Sequence, residues 1–123
     1  MILEFQIEDY TGKAIEGLQK NIIKCAYLGD LDGIKSAVKE DPTSVTFVDS
    51  FTGCSALHIS AGLGNYSCVE FIISCRHVDL FQTDKKGVQA IARAFEVGHY
   101  AIADLLADKM YPNRKKGITD PTP

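Results

Sequence analysis

The stretch G-C-S-A-L-H-I-S-A-G-L-G-N at residues 53–65 decides the fold, because it returns in altered form as G-V-Q-A-I-A-R-A-F-E-V-G-H at residues 87–99. The two copies stand 34 residues apart, counted from Gly53 to Gly87. A period of this length marks a supersecondary unit that repeats and stacks, each unit being too small to cover its own apolar face. Stacks of this kind present extended surfaces, so the repeat points to binding rather than to a reaction.

Helical periodicity fills the space around the two copies. Ile15, Leu18, Ile22, Cys25 and Ala26 recur at steps of three and four and predict a helix over residues 14–28. Gly29 ends it and Asp30 is placed to cap a second helix over 31–39, with Ile34, Ala37 and Val38 inward. Asp41 and Pro42 stop that helix, and residues 42–54 read as an extended loop. A second helix pair is predicted over 56–63 and 66–75 with Asn65 as a cap, and a third over 89–97 and 100–110. Leu3, Phe5 and Ile7 alternate with Glu4, Gln6 and Glu8, a strand period that predicts an arm over the first helices or a strand pairing with another chain. The organisation expected is therefore an N-terminal arm (1–12), a repeat domain (13–111) and a flexible polar tail (112–123).

These units resemble the ankyrin repeat, whose pattern runs G-x-T-P-L-H-x-A-A-x-x-G-H, then an apolar second helix, then G-A-D-x-x-x-x-D. Gly53, Ser55, Ala56, Leu57, His58, Ala61 and Gly64 occupy the first part, and Val69, Phe71, Ile72 and Ile73 the second helix. The loop from His77 through Asp79 leads to Asp84. The third unit keeps Asp84, Gly87, Ala90, Ile91, Ala94, Gly98 and His99 in register. The first unit keeps C-A-Y-L-G-D at residues 25–30, as an N-terminal cap unit would. The resemblance covers about three repeats over residues 14–110, and it implies an all-α solenoid of stacked helix-turn-helix units with extended loops. Ser55-Ala56 and Gln89-Ala90 replace Thr-Pro, and Ala92 replaces the histidine of the third unit, so that unit is expected to be the least stable.

Composition removes several functions. A formal net charge of −3 argues against a nucleic-acid partner, and no apolar run approaches the roughly 20 residues of a membrane helix. The acidic N-terminal segment is a poor secretory signal. Cys25, Cys54, Cys68 and Cys75 form no C-x-x-C pair, and three of them fall on or near apolar helix faces. Reduced thiols suit a cytoplasmic or nuclear setting. His58 has no carboxylate partner at helical spacing and stands where the resemblance places a repeat-tying histidine. His77 and His99 add no metal-ligand spacing, and the G-L-G-N glycines lack the strand and third glycine of a nucleotide loop. No catalytic residue, metal or cofactor is expected.

The resemblance implies partner binding on the concave face, from loop tips and first helices. The candidates are Tyr27 and Leu28 in the first unit, Ser50, Phe51, Thr52, Cys54 and Leu63 in the second, and Lys85, Lys86, Val88, Glu96 and Val97 in the third. Phe51 is the expected anchor, Leu28, Leu63 and Val97 the apolar floor, and Lys85 and Lys86 the charges steering a protein partner with an acidic patch. The function expected is a non-catalytic adaptor, inhibitor or targeting module, monomeric or weakly dimeric. The alternative is a structural protein that self-associates through the arm or the apolar last helix, where Ala101, Ile102, Ala103, Leu105 and Leu106 cluster.

Overall fold

A computed structural model describes residues 18–113, with side chains from Ile22 onward. The arm and the last ten residues, with the expectations placed on them, lie outside the described residues. Six α-helices occur among the described residues: α1 (Leu18–Leu28), α2 (Leu31–Glu40), α3 (Ala56–Leu63), α4 (Tyr66–Ile73), α5 (Ala90–Glu96) and α6 (Tyr100–Met110). They pack as three helical hairpins, α1 with α2, α3 with α4 and α5 with α6. An inner row runs α1, α3, α5, and an outer row runs α2, α4, α6. The all-α repeat fold expected from the sequence is the fold observed.

One continuous core runs through the three hairpins. Ile22, Ile34, Val69, Ile72 and Leu106 are fully buried, and the small residues Ala26, Ala61 and Ala94 let neighbouring helices approach. Burying an aliphatic side chain of this kind stabilises by about 1.5–3 kcal/mol, and the buried residues of all three hairpins belong to one cluster. Stacking, not helix propensity, therefore holds helices of seven to eleven residues that would be marginal alone.

The helix ends follow the local chemistry. Asp30 caps α2 by accepting from the Gly33 N–H at 3.0 Å. The segment after α2 departs from the extended loop expected for 42–54. Asp41 accepts from the Thr43 N–H at 3.0 Å and from the Thr43 hydroxyl at 2.7 Å, which winds Pro42–Thr46 into a 3₁₀ turn. Extended pairing starts at Val48, which bridges Ser55, and recurs where Thr83 bridges Gln89. Helix α4 stops at Ile73, short of the expected residue 75, where the Ser74 hydroxyl donates back to the Phe71 carbonyl at 2.6 Å. Asn65 sits at the head of α4 without a side-chain cap bond. Its amide lies instead against the turn of the previous unit, 3.2 Å from where a Cβ on Gly29 would stand.

The third hairpin is tied less firmly. Gln89 precedes α5 without capping it, and Ala92 offers no side chain to a following loop, whereas Ser55 and His58 do both in the second unit. Amides of α5 and α6 are therefore expected to exchange with solvent at least about tenfold faster than those of α3 and α4, a difference of about 1.4 kcal/mol in local opening. Hydrogen exchange showing equal protection in the two hairpins would refute this ranking.

Candidate partner-binding surface

The loop tips are built before any partner is considered. In the second unit Asp49 accepts from the Thr52 N–H at 3.2 Å and the Thr52 hydroxyl at 2.7 Å. The Gly53 N–H returns to the Asp49 carbonyl at 2.7 Å. The turn D-S-F-T-G is closed by these bonds, and Phe51 is carried at its tip with 69% of its surface exposed. In the third unit Asp84 plays the same part, taking the N–H groups of Lys86 at 2.9 Å and Val88 at 3.0 Å on one carboxylate oxygen. Its other oxygen takes Arg93 at 2.6 Å. Burial by itself would raise the Asp84 carboxyl; the Arg93 guanidinium and the backbone donors outweigh it and hold the group well below the usual carboxylate range. A buried carboxylate with this many donors is a rigid organiser of the loop.

Adjacent tips are then joined. The Lys85 N–H donates to the Thr52 carbonyl at 3.0 Å, and the Lys85 ammonium donates to the Ser50 carbonyl at 2.6 Å. His58 reaches the Val88 carbonyl at 2.8 Å from below. Ser50, Phe51, Thr52, Lys85 and Lys86 thus form one platform. Lys86 is exposed, whereas the Lys85 charge is moored across the two tips. Val88 and Cys54 are half-buried beneath the platform: Val88 by its backbone bonds, Cys54 with its sulfur 3.8 Å from Asp84. Burial pushes the Cys54 thiol up, which disfavours the reactive thiolate.

The remaining candidates fall elsewhere on the molecule. Leu28, Leu63 and Val97 each stand one residue before the turn glycines Gly29, Gly64 and Gly98, and each is more than half exposed. They fall on equivalent turns of successive units, at the end of the inner helices away from the loop tips. Eight helical residues put roughly 12 Å between that end and the loop tips. Tyr27 directly precedes Leu28 in the last turn of α1 and is half exposed, its hydroxyl pushed up first by burial and then by Asp49 and Cys54. Glu96 is exposed and contacts Arg93 at 3.4 Å. The candidates therefore divide into a polar platform with one aromatic, and an apolar row beyond it.

Sequence reasoning missed Arg93 and the pair Phe95 and Tyr100. Arg93 interrupts an apolar run, A-I-A-R-A-F, nine residues after Asp84, which was the available signal. Phe95 and Tyr100 are 64% and 62% exposed and meet edge to face at 5.3 Å. They border an open cleft of about 830 Å³ with Ala92, Ala101 and Ala107 on the last unit. Of the residues expected at the apolar end, Ile102, Ala103 and Leu106 are buried, Leu105 is half-buried and Ala101 is exposed beside Phe95 and Tyr100. Among the described residues no three His, Cys, Asp or Glu side chains gather where a metal could sit, and no helix is long and apolar enough to cross a membrane.

A family model described as ankyrin repeats, in three copies, matches residues 22–117. No curated protein matches the chain.

Proposed function

The chain belongs to the ankyrin-repeat family, and from that premise we propose that it is a non-catalytic docking module that holds a partner protein on its loop-tip platform. Ankyrin repeats are generally protein–protein interaction modules. The observation that carries the reading is Phe51. A side chain of this size, exposed at the tip of a turn closed by Asp49 and Thr52, is a rigid aromatic knob on a fixed base. Aromatic anchors on preorganised surfaces give much of the energy of protein interfaces, because little conformational freedom is lost on binding. Lys86 beside it favours a partner with an acidic patch, through encounter rate and specificity. Tyr27 and Glu96 extend the platform along the inner helices, and Leu28, Leu63 and Val97 serve a partner long enough to reach the far row. The four cysteines are free, which supports a cytoplasmic or nuclear setting.

A pull-down from lysate comparing the chain with Phe51→Ala and Lys86→Glu variants of unchanged helicity tests the reading. Phe51→Ala is expected to weaken retention of the partner about tenfold or more. Partners kept equally by both variants would move the site off the platform. A second reading, self-association, is favoured by the exposed Phe95–Tyr100 pair. Light scattering across a range of concentrations separates the two: a tight dimer supports self-association, a monomer removes it.

A further inference from the structure

The turns between paired helices carry a second surface, at the other end of the helices from the loop tips. Leu28, Leu63 and Val97 directly precede the turn glycines, and Tyr66 and Tyr100 are the first residues of α4 and α6. Phe95 lies near the end of α5. All six are exposed among the described residues. The three turns stack on one another: the Asn65 amide lies on Gly29 and the His99 ring on Gly64, 3.2 and 2.7 Å from where a Cβ would stand. Tyr66 and Tyr100 line a cleft of about 260 Å³ between the second and third turns. Tyr100 also meets Phe95 edge to face and borders with it the cleft of the last unit, so the two clefts share a wall. The exposed side chains therefore follow a continuous surface, and apolar surface of that extent marks a contact site.

Charge and spacing say what fits it. Glu70 and Asp104 stand four residues after Tyr66 and Tyr100 on the same helix faces, and Asp32 and Glu96 flank the first and third turns; all four are exposed. The basic side chains on the turn-side halves of the helices are Lys24, Lys35 and Arg93. Arg93 is held by Asp84, and Lys35 lies over the Phe71 ring, 5.8 Å from its centre. The excess at this end is acidic, so a partner gains from Lys or Arg, and two copies meeting here would set the same acids against each other. Packed helices set neighbouring units about 10 Å apart. Helical residues seven apart share a face and lie about 10.5 Å apart along the axis, so positions i, i+7 and i+14 match three turns. An extended chain shows one face at about 6.6 and 13 Å and misses that spacing.

We propose that the turn end binds a basic amphipathic helix of a partner protein. Its apolar stripe lies along the surface from Leu28 through Leu63 and Val97 to Tyr100, and its flanking Lys and Arg side chains face Glu70, Glu96 and Asp104. The site goes beyond the loop-tip reading and stands or falls apart from it.

Anisotropy on the full chain with a labelled peptide of about 18 residues, five helical turns, tests the site. The peptide carries leucine at helical spacing (i, i+3, i+4, i+7) and lysine elsewhere, and its control alternates the two residues strictly, the strand period. The helical peptide is expected to bind at least about tenfold more tightly than the control. A Leu63→Ser, Val97→Ser variant of unchanged helicity, altered only at exposed positions, is expected to bind it about tenfold more weakly. Glu70→Gln with Asp104→Asn should weaken it about threefold and flatten its salt dependence. Phe51→Ala should leave it unchanged; a loss there would assign the peptide to the loop tips and overturn the turn end. No binding, or equal binding of the two peptides, overturns the helical partner. Equal binding by the Leu63→Ser, Val97→Ser variant overturns the surface. Capture of the chain by phosphatidylcholine vesicles that this variant loses overturns the site in favour of a membrane, and a dimer in light scattering that it abolishes does so in favour of a second copy.

Discussion

Replacing Gly53 with alanine is expected to destabilise the stack by about 3 kcal/mol, whereas the same change at Gly98 costs about 1 kcal/mol. Both glycines have positive φ, +75° and +84°, so alanine at either meets the same left-handed backbone penalty. They differ in what surrounds them. At Gly53 the new Cβ would stand 2.8 Å from the backbone nitrogen of Lys85, and at Gly98 nothing among the described residues lies within 4 Å. A backbone atom cannot swing away as a side-chain end can. Relief requires the third loop to retreat, which breaks the Lys85-to-Thr52 bond and loosens the Lys85 ammonium from Ser50. Urea unfolding of the two variants measures the difference, and equal costs would show that the tips are not held in contact. The same substitution should also blunt partner binding through Phe51, which sits on the loop being displaced.

The legible part of the sequence was the part governed by local rules. The turns at Gly29, Gly64 and Gly98, the Asp30 cap and the bounds of α3 and α6 follow from glycine, capping and periodicity, which act within a few residues. The 3₁₀ turn at Pro42–Thr46 was missed because a single carboxylate, Asp41, decides it, and the β-branched residues nearby signal extension more loudly. Asn65 reads as a cap from its neighbours alone. Only the stacked Gly29 of the preceding unit reveals where its amide goes. The candidate site divides in the same way. Phe51 at a tip was readable from the turn residues around it. The mooring of Lys85 and the organising role of Arg93 were not, since each depends on a residue of another loop brought near by stacking.

Stacking also holds the platform rigid. Asp49 and Asp84 close their own turns, Lys85 joins the turns to each other, and His58 fastens the third turn to the helix beneath it. Each tie is short in space, yet the last two span 35 and 30 residues of sequence. Under the docking function proposed above, a partner would meet a surface whose ordering cost was met in folding, and its own contacts would appear as affinity.

His58 is the residue on which this depends most, and His58→Ala is expected to cost about 3 kcal/mol. The ring does three things at once. Nδ1 accepts from the Ser55 N–H at 3.2 Å while Ser55 Oγ accepts from the His58 N–H at 3.3 Å, a reciprocal cap on α3. Nε2 reaches the Val88 carbonyl at 2.8 Å, and the buried ring fills space between units. With Nδ1 accepting, the network assigns the hydrogen to Nε2, the neutral tautomer. Burial pushes the imidazole below its ordinary pKa of 6.5, against the pull of the Val88 carbonyl and Asp84. A second proton would have to go on Nδ1, facing the Ser55 N–H. The unfolded chain then binds more protons than the folded one just below that ordinary value. The stability His58 contributes is present above about pH 6.5 and is lost as pH falls through the depressed value in the folded state. Thermal unfolding from pH 8 to pH 5 should show the wild-type chain losing stability over this range by more than the His58→Ala variant does. Parallel pH profiles would mean that the ring is not held neutral between the repeats. Ala92 makes the same point from within the chain: the third unit has no histidine at that place, and no later loop among the described residues is fastened to it.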